Sequence, residues 1–360
     1  MKIRIITIHD IGNNFGSAIQ SCALCEYLNA QGYDAEIIHY TPNYRNWKQE
    51  LRYRLVNLLF LRDYRARRRC FDRYYRAHAR LTERVETIGQ IPAFERDTVY
   101  LVGSDQVWNP HFPCGSDGAY TLDFTDSPWK MAYAASVGCA LTAAEAETLA
   151  RRIRGFQALS FREEATRAQM APYFPEAAAV LDPVFLKPKQ AYLKEFGPRM
   201  QREPYLLIYS INPDPLFDEA VAAYRKEHGV KTVLVGGFQK KCGCDLFLRG
   251  IGPAEFLNLL YHAEHVLTSS FHGLALSLLL EKDVSVIEPR LSRLRIRDLL
   301  ERFDLTDRIL TPETLETTLC GHMDYSRISP RIEEARSASC AFLLHALGRM
   351  KDELEEEPLP

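Results

Sequence analysis

The feature that most constrains the fold is a repeated alternation between apolar runs of strand length and segments with helical spacing. Residues 3–8 form such a run, residues 18–30 carry apolar side chains at helical spacing, and residues 35–40 form a second run. Strands that alternate with helices favour a parallel sheet covered by helices on both faces. Further buried strands are predicted in this half of the chain at residues 99–102, 132–135 and 178–181.

The same alternation starts again after a proline-rich stretch. Residues 183–204 contain four prolines together with lysines and arginines, a composition typical of a linker. Beyond it, strands are predicted at 205–209, 231–235, 266–268 and 284–287, and helices at 218–226, 253–262 and 271–280. A chain of 360 residues also suits two domains better than one core.

The two alternating halves predict an α/β fold of two Rossmann-like domains that face a central cleft. The domains are placed at 1–190 and 200–345, with residues 346–360 as an acidic, frayed tail. In such a pair, the carboxyl ends of the strands and the loops after them line the cleft, which is where ligands bind.

Composition and charge exclude several classes of protein. Lys and Arg total 45 against 47 Asp and Glu, a net charge of −2, so nucleic acid is not an expected partner. The first residues are charged and strand-like rather than a signal peptide, and no apolar stretch approaches the roughly 18 residues of a transmembrane helix. Because the nine cysteines show no paired framework, the sequence predicts free thiols and a cytoplasmic protein.

The balanced total hides a strongly basic segment. Between Arg52 and Arg80 there are ten arginines and two acids, a local net charge of +8. Apolar residues lie among them, so residues 50–80 are predicted to form an amphipathic helical insertion. Two interpretations are open: a solvated helix face paired with acids elsewhere, or contact with anionic lipid headgroups or the diphosphate of a lipid-linked acceptor. The second would place the protein at the inner face of a membrane.

The loop after the first strand is suited to the close approach of a ligand. Small residues, with Asn13 and Gly16 among them, precede the helix, and a helix N-terminus favours an anion. The spacing is not that of a dinucleotide-binding G-x-G-x-x-G, residues 37–40 offer no acid for a ribose, and the chain has no P-loop motif. We therefore exclude NAD as a cofactor. A tight turn without a ligand is the alternative for this loop.

Polar residues follow the predicted strand at 99–102. Ser104, Asp105 and Asn109 offer a hydroxyl, a carboxylate and an amide to the cleft, and Trp108 is suited to stacking on a sugar. The alternative is a turn in which Ser104 or Asp105 accepts hydrogen bonds from backbone N–H groups.

The junction between the strand at 266–268 and the helix after it carries the sharpest local signal. Ser269, Ser270, Phe271 and His272 occupy this junction, and the dipole of the helix favours an anionic ligand there. A histidine can give or take a proton near neutral pH, so His272 is the candidate catalytic residue. A purely structural histidine is the alternative.

Arginines supply candidate anion-binding groups, because the guanidinium fork suits carboxylates and phosphates. Arg290, Arg293 and Arg295 follow the predicted strand at 284–287, and their spacing prevents all of them from facing one ligand. Arg162 is a further candidate, for which a surface ion pair of little energetic value is the alternative.

The cysteines do not predict a metal site. Cys22 and Cys25 lie inside a predicted helix without a second pair, and Cys242 and Cys244 lie in a predicted loop. Neither a functional metal nor a cofactor is therefore expected.

Several blocks of the sequence, in order along the chain, resemble the polysaccharide pyruvyl transferase family. They lie at residues 13–20, 102–109, 133–138, 162–163, 181–183, 252–256 and 268–277. The resemblance implies a two-domain fold like that of the B-type glycosyltransferases (GT-B). It also implies transfer of pyruvate from phosphoenolpyruvate to a sugar or glycan acceptor, free or lipid-linked, as a ketal. The first domain would then bind the acceptor and the second the donor.

The same resemblance implies roles for individual residues. Arg162 would hold the carboxylate or the phosphate of the donor, His272 would move protons, and Arg295 lies where relatives tend to keep a basic residue. Some relatives carry a lysine where this chain has Ser292. The sequence therefore leaves open which basic residue neutralises the phosphate.

Two other functions are open at this point. A nucleotide-sugar-dependent glycosyltransferase would have the same overall shape. A catalytically silent glycan-binding protein would need the cleft without the chemistry, and the combination of His272 with the arginines argues against it.

Overall fold

The computed structural model describes residues 1–9, 14–92, 97–210, 214–240, 242–289 and 293–356. These residues form two parallel β-sheets with helices packed against them, which confirms the predicted α/β fold. Within the described ranges, no helix combines the length and the apolar character needed to cross a membrane.

The first domain is built on a six-stranded parallel sheet. Its strands are β1 (Lys2–Ile6), β2 (Asp34–Ile37), β3 (Thr98–Val102), β4 (Lys130–Ala135), β5 (Ala158–Phe161) and β6 (Ala178–Ala179). Its helices are α1 (Phe15–Ala30), α2 (Trp47–Leu59), α3 (Leu61–His78), α4 (Pro113–Ser116), α5 (Ala143–Arg152) and α6 (Glu164–Met170). The strand order is β2-β1-β3-β4-β5-β6, and every neighbouring pair is parallel.

The second domain is built on a five-stranded parallel sheet. It begins after α7 (Lys189–Leu193), and its strands are β7 (Tyr205–Tyr209), β8 (Lys231–Val235), β9 (Leu246–Leu248), β10 (His265–Thr268) and β11 (Val284–Val286). Its helices are α8 (Pro215–His228), α9 (Pro253–His262), α10 (Phe271–Leu279), α11 (Arg293–Arg302), α12 (Leu315–Cys320) and α13 (Tyr325–Glu356). The strand order is β11-β10-β7-β8-β9.

Sequence signals at helix ends explain several of these bounds. Asp214 caps α8, Pro215 occupies the start of its first turn, and Gly229 ends it with a φ of +63°. Thr142 and Glu145 form a capping box at the start of α5. Each cap of this kind contributes about 1 kcal/mol by satisfying backbone groups that a helix end leaves open.

Most predicted elements are present, although some of their bounds differ and the fold contains further elements. The strands at 205–209 and 231–235 and the helix at 253–262 have the predicted bounds. The strands predicted at 3–8 and 35–40 end earlier, at Ile6 and Ile37. Several elements have no predicted counterpart, among them β5, β9, α5, α11 and the 32-residue α13.

The first part of the proline-rich stretch at 183–204 is packed against the protein, whereas most of residues 197–204 are exposed. Its first residues, Pro183–Phe185, form a 3-10 helix, and α7 follows. Val184, Phe185 and Tyr192 are fully buried in a core cluster that contains residues of both domains. Pro183 lies in the first turn of the 3-10 helix and Pro188 directly precedes α7, so these two prolines mark helix starts rather than a flexible linker.

The last helix, α13, returns from the second domain to the first. Ile328 and Ile332 near its start pack with residues of the second domain, whereas Leu343, Leu347 and Met350 pack against the first sheet. The latter three are spaced at i, i+4 and i+7, which forms one apolar stripe. The tail predicted to fray spans 346–360; its residues 346–356 are instead part of α13, and residues 357–360 lie outside the described residues.

An aromatic stack joins the two domains. The ring of Phe15 in α1 stacks on Phe71 of α3, with ring centroids 5.7 Å apart, and on Phe256 of α9, 4.8 Å apart. The guanidinium of Arg67 lies over the Phe15 ring, 4.6 Å from its centroid. Aromatic pairs of this kind contribute about 0.5–1.5 kcal/mol each beyond the area they bury. The basic segment predicted at 50–80 lies in α2 and α3. Through Arg67 and Phe71, α3 helps to hold the two domains together.

Candidate functional site

The ends of four elements bring the candidate residues of both domains together. In the first domain, α1 begins beyond β1, Ser104 and Asp105 follow β3, and Arg162 follows β5. In the second domain, His272 lies in the first turn of α10, just after β10. Because neighbouring strands are parallel, their carboxyl ends share one edge of each sheet. The candidate residues lie at these edges.

Gly16 allows the first domain to approach His272 closely. It lies in the first turn of α1, where its N–H donates to the side chain of Asn14 at 2.9 Å. A Cβ atom on Gly16 would overlap the imidazole of His272, at 2.6 Å from the Cβ of that histidine. The start of α1 was expected to approach a ligand or to form a plain turn; it approaches a side chain of the other domain.

Ser104 and Asp105 are buried, and each side chain makes hydrogen-bond contacts with two partners. The Ser104 hydroxyl lies 3.0 Å from Asp182 Oδ2 and 2.8 Å from a backbone carbonyl. Asp105 Oδ2 accepts from the hydroxyl of Ser17 at 2.9 Å, and Oδ1 accepts from the N–H of Gln106 at 2.8 Å. The turn interpretation therefore holds for one oxygen of Asp105, while the same carboxylate also faces the charged groups of the site.

Arg162 is buried, which excludes the interpretation as a surface ion pair. Its Nη1 donates to Asp182 Oδ2 at 2.8 Å, and its Nε donates to Glu163 Oε1 at 3.3 Å. Its Nη2 lies 3.9 Å from Asp105 Oδ1. The guanidinium also lies over the ring of Phe271, 4.1 Å from the ring centroid. Phe271, a candidate from the sequence, therefore contacts the arginine of the opposite domain.

Arg295 is a second buried arginine, in the first turn of α11. Its Nη1 lies 3.7 Å from Asp105 Oδ1. With its amide oxygen turned toward the guanidinium, Gln106 accepts from Nη1 at 3.3 Å and from Nη2 at 3.2 Å. Burial, followed by repulsion from Arg162, lowers the pKa of Arg295 to about 10. An anion bound between the two arginines would relieve that repulsion.

Asp182 connects Arg162 to His272, a role that the sequence pattern did not identify. Its Oδ2, which accepts from Arg162, lies 3.6 Å from His272 Nε2. Burial would raise the pKa of Asp182, but the charges of His272 and Arg162 hold it well below its usual range. The same balance lowers the pKa of Asp105. The available signal was a carboxylate directly after the strand predicted at 178–181, where polar residues face the cleft.

Three nitrogen atoms in this cluster have no hydrogen-bond partner among the described residues. They are Arg162 Nη2, Arg295 Nε and His272 Nε2, and their side chains are between 4% and 7% exposed. Leaving a buried donor unsatisfied costs about 1–3 kcal/mol. The arrangement therefore suits a compact anion that would accept hydrogen bonds from these groups.

The hydroxyls next to His272 build the turn that presents it. Ser270 caps α10 by accepting from the N–H of Gly273 at 3.3 Å. Thr268 Oγ1 donates to Tyr209 O at 2.8 Å and accepts from the N–H of Ser270 at 3.0 Å. The N–H of Ser269, which is also buried, donates to Tyr209 O at 3.3 Å. Ser270 and its neighbours thus position His272.

Trp108 and Asn109 lie in the first-domain interior, which corrects their expected role as ligand-binding residues. The indole N–H of Trp108 donates to Tyr120 O at 2.7 Å, and its ring packs edge-on against Phe156 and Phe161. Asn109 is fully buried, and its side-chain oxygen accepts from the N–H of His111 at 2.9 Å. Neither side chain is available for stacking on, or bonding to, a sugar in this arrangement.

Of the remaining candidates, one is exposed and two lie outside the described residues. Arg290 and Asn13 lie outside the described residues. Arg293 is exposed at the start of α11. Of Arg293 and Arg295, it is Arg295 that joins the cluster.

Among the described residues, one group of potential metal ligands lies close enough together to hold an ion. The cysteines whose side chains are described are all free, and burial raises the pKa of the Cys22 and Cys25 thiols in α1. Glu26, His78 and Glu195 place their ligand atoms within 4.8 Å of one another. However, the ammonium of Lys187 lies 2.5 Å from Glu26 Oε2 and also bonds Glu195, so a cation already occupies that position.

Comparison with known sequences decides the family. The sequence profile described as polysaccharide pyruvyl transferase matches residues 14–289. The chain belongs to the polysaccharide pyruvyl transferase family. The matched region contains Gly16, Arg162, Asp182 and His272, whereas Arg295 lies beyond it. A search of curated proteins found no match.

Solved structures similar to this pyruvyl transferase family member have GT-B-like two-domain folds. UDP-GlcNAc 2-epimerase from Neisseria meningitidis, bound to UDP-GlcNAc, is 11% identical, with a TM-score of 0.52 over 96% of this chain and 100% of that one. The epimerase from Rickettsia bellii is 12% identical, with a TM-score of 0.53 over 98% of each chain. The S. aureus MnaA–UDP structure is 10% identical, with a TM-score of 0.54 over 96% and 97%. At these identities the similarity concerns the fold alone, and the predicted GT-B-like fold is confirmed.

Proposed function

We propose that this protein transfers pyruvate from phosphoenolpyruvate to a sugar of a surface polysaccharide or its precursor. The observation that carries the proposal is the buried cluster in which Arg162, Arg295 and His272 each keep an unsatisfied nitrogen. Phosphoenolpyruvate has a carboxylate and a phosphate, and two guanidinium groups match these two anions. Membership of the family supports the transferase class.

The proposed reaction converts an enol phosphate into a ketal. The methylene carbon of phosphoenolpyruvate takes a proton, which makes C2 electrophilic, and one sugar hydroxyl adds to C2. The bond between C2 and the phosphate oxygen then breaks, and a second hydroxyl closes the ketal. The two hydroxyls release two protons: one balances the proton taken by the methylene carbon, and the other leaves with phosphate.

The residues of the cluster divide these tasks. His272 moves the proton, because its imidazole lies among the groups that would hold the donor. Arg162 and Arg295 bind the carboxylate and the phosphate; with a pKa of about 10, Arg295 stays charged at neutral pH. Asp182 orients both Arg162 and His272 through one oxygen.

The acceptor is proposed to be a sugar or glycan that is bound by the first domain. A lipid-linked acceptor would place the reaction at the inner, cytoplasmic face of a membrane. The basic α2–α3 segment of the first domain supports this location.

Calorimetry with phosphoenolpyruvate tests the proposed donor. The wild-type protein should bind phosphoenolpyruvate, and Arg295→Gln should weaken binding at least about tenfold, about 1.4 kcal/mol. Arg297→Gln is the matched control on the same helix, because Arg297 is exposed and paired with Glu288 at 2.6 Å. It should bind like the wild type.

Two outcomes would contradict the proposal. Binding of UDP-GlcNAc without any response to phosphoenolpyruvate would favour a nucleotide-sugar-dependent glycosyltransferase. If a folded protein bound neither compound, a catalytically silent glycan-binding protein would be favoured.

A further inference from the structure

Helix α2 directs its apolar side chains away from the protein. None of its 13 residues is buried. Trp47, Leu51, Leu55, Leu58 and Leu59 are between 52% and 78% exposed. At about 100° per residue, these five side chains cover about 120° of the helix circumference, which we call the α2 apolar face. A surface helix of a globular protein normally directs such a stripe toward the core.

Basic side chains border the α2 apolar face on both sides. By helical spacing, Arg52 lies along one edge, and Lys48 lies inside the face next to that edge. Arg54 lies along the other edge and pairs with Glu50 at 2.9 Å. All three basic side chains are exposed. Beyond the helix, Arg62 and Arg65 are exposed as well. In the part of the chain that the structure describes, Arg52, Arg62 and Arg65 form no ion pair with a carboxylate.

The exposed helix is well formed and firmly attached. Asn46 and Gln49 form a capping box that starts α2. At its end, the ring of Phe60 stacks on Phe238 of the second domain, with centroids 6.1 Å apart. The guanidinium of Arg249, also in the second domain, lies 4.9 Å from the Phe60 ring centroid. The exposure of the leucines is therefore a property of an ordered helix.

We propose that the α2 apolar face docks on an anionic lipid bilayer. The apolar side chains would lie at the boundary between headgroups and acyl chains, and the bordering cations would contact lipid phosphates. A second copy of the chain fits less well. Because both edges of the α2 apolar face carry cations, two such faces in contact would bring cations of the two copies together, which like-charge repulsion opposes.

Docking through α2 would deepen the proposed function by naming the surface on which the enzyme works. This part of the inference rests on the proposed function, since the docked enzyme would reach a lipid-linked acceptor. α2 leads directly into α3, and α3 packs on α1 through the stack of Phe71 on Phe15. Gly16 of α1 contacts His272, so the α2 apolar face and the cluster belong to one connected unit.

Trp47 provides a direct probe of docking. It is 72% exposed, whereas Trp108 and Trp129 are 3% and 7% exposed. With the full chain, vesicles of phosphatidylglycerol and phosphatidylcholine should shift tryptophan emission to shorter wavelength, and brominated acyl chains should quench it. Vesicles of phosphatidylcholine alone should produce a much smaller change, because they lack the negative charge.

Substitutions on α2 should separate docking from folding. The triple variant Leu51→Ser, Leu55→Ser, Leu58→Ser should weaken sedimentation with the anionic vesicles at least about tenfold, because it removes most of the apolar area. Arg52→Gln combined with Arg54→Gln should weaken binding and reduce its dependence on salt. Met200→Ser, a change of an exposed apolar residue outside α2, should leave vesicle binding unchanged.

The outcomes distinguish docking from the proposed chemistry. The triple variant should keep its unfolding temperature and its binding of phosphoenolpyruvate. Docking is refuted if the wild type ignores anionic vesicles or if the triple variant binds them equally well. A concentration-dependent dimer that the triple variant abolishes, with no vesicle binding, would assign the α2 apolar face to a second copy instead. Failure of phosphoenolpyruvate binding in the wild type would contradict the proposed function while leaving docking standing.

Discussion

The charged cluster around Asp182 and the α2 apolar face depart from the usual distribution of side chains in opposite directions. In the cluster, Arg162, Asp182 and Arg295 are almost fully buried, whereas on α2 a tryptophan and four leucines are exposed. Buried charges cost free energy unless they are paired and hydrogen-bonded, and each large apolar side chain left in water forgoes about 1.5–3 kcal/mol. Stability explains neither arrangement, and we propose that both serve binding.

The two regions also differ in the number of elements that position their side chains. The cluster is assembled from β3, β5, α10 and α11, with contacts that cross between the domains. The side chains of the α2 apolar face depend on one helix with its own capping box. Substitutions in the cluster should therefore affect several partners at once, whereas those on α2 should stay local.

The largest effect is expected for His272→Ala, which removes the proposed proton-transfer group. Phosphate release from phosphoenolpyruvate, measured with an acceptor that the wild type uses, should fall about 10²- to 10⁴-fold. His322→Ala is the control, because His322 is 93% exposed. Full turnover by the His272 variant, with normal folding, would remove His272 from the mechanism.

Asp182→Asn should destabilise the protein strongly, because it leaves the Arg162 guanidinium with weaker compensation inside the protein. Breaking a buried pair costs about 3–5 kcal/mol, which urea denaturation would measure. Asp123→Asn disrupts an exposed pair with Arg152 and should cost at most about 1 kcal/mol. Equal costs for the two variants would contradict the contrast between buried and exposed charges.

Gly16→Ala tests the close approach between the domains. The added Cβ would overlap the imidazole of His272 and displace it, so we expect about 1–3 kcal/mol of destabilisation and reduced turnover. Gly348→Ala in α13 is the matched control, because a Cβ there meets nothing within 4 Å. That variant should be stabilised by about 0.5–1 kcal/mol. Normal turnover in Gly16→Ala would mean that the approach is not needed.

Acidification should reduce the contribution of Asp182 to the free energy of unfolding. The pKa of Asp182 is below its usual range in the folded protein, so its contribution to the unfolding free energy is complete above the unfolded value near pH 3.9 and is lost as the pH falls toward the folded value. The stability difference between wild type and Asp182→Asn should therefore narrow below about pH 3.9, by up to about 1.4 kcal/mol per pH unit. A difference that stays constant down to pH 2 would contradict the lowered pKa.

The smallest effect is expected for Leu58→Ala on α2. Because Leu58 is exposed, the free energy of unfolding should change by less than about 0.5 kcal/mol. Leu257→Ala, the same substitution at a fully buried position of α9, should cost about 2–5 kcal/mol. A large loss of stability in Leu58→Ala would show that α2 packs against the protein.

Local sequence patterns were sufficient for most of the fold. β7, β8 and α9 have their predicted bounds because strands in a parallel sheet are continuous apolar runs and helix starts carry caps, and both signals are local. The site was only partly predictable from such signals. Ser104, Asp105, Trp108 and Asn109 follow the same strand, yet the first two join the cluster while the other two lie in the domain interior.

By itself the sequence determined the two α/β halves, the position of His272 after a strand, and a basic helical insertion. Only the tertiary structure decided that Asp182 joins Arg162 to His272, because packing of the two domains sets the contacts between distant positions. Packing also distinguishes α2 from α3, which both combine arginines with apolar residues. Phe71 of α3 packs on Phe15 of α1 and is buried, whereas the leucines of α2 are exposed.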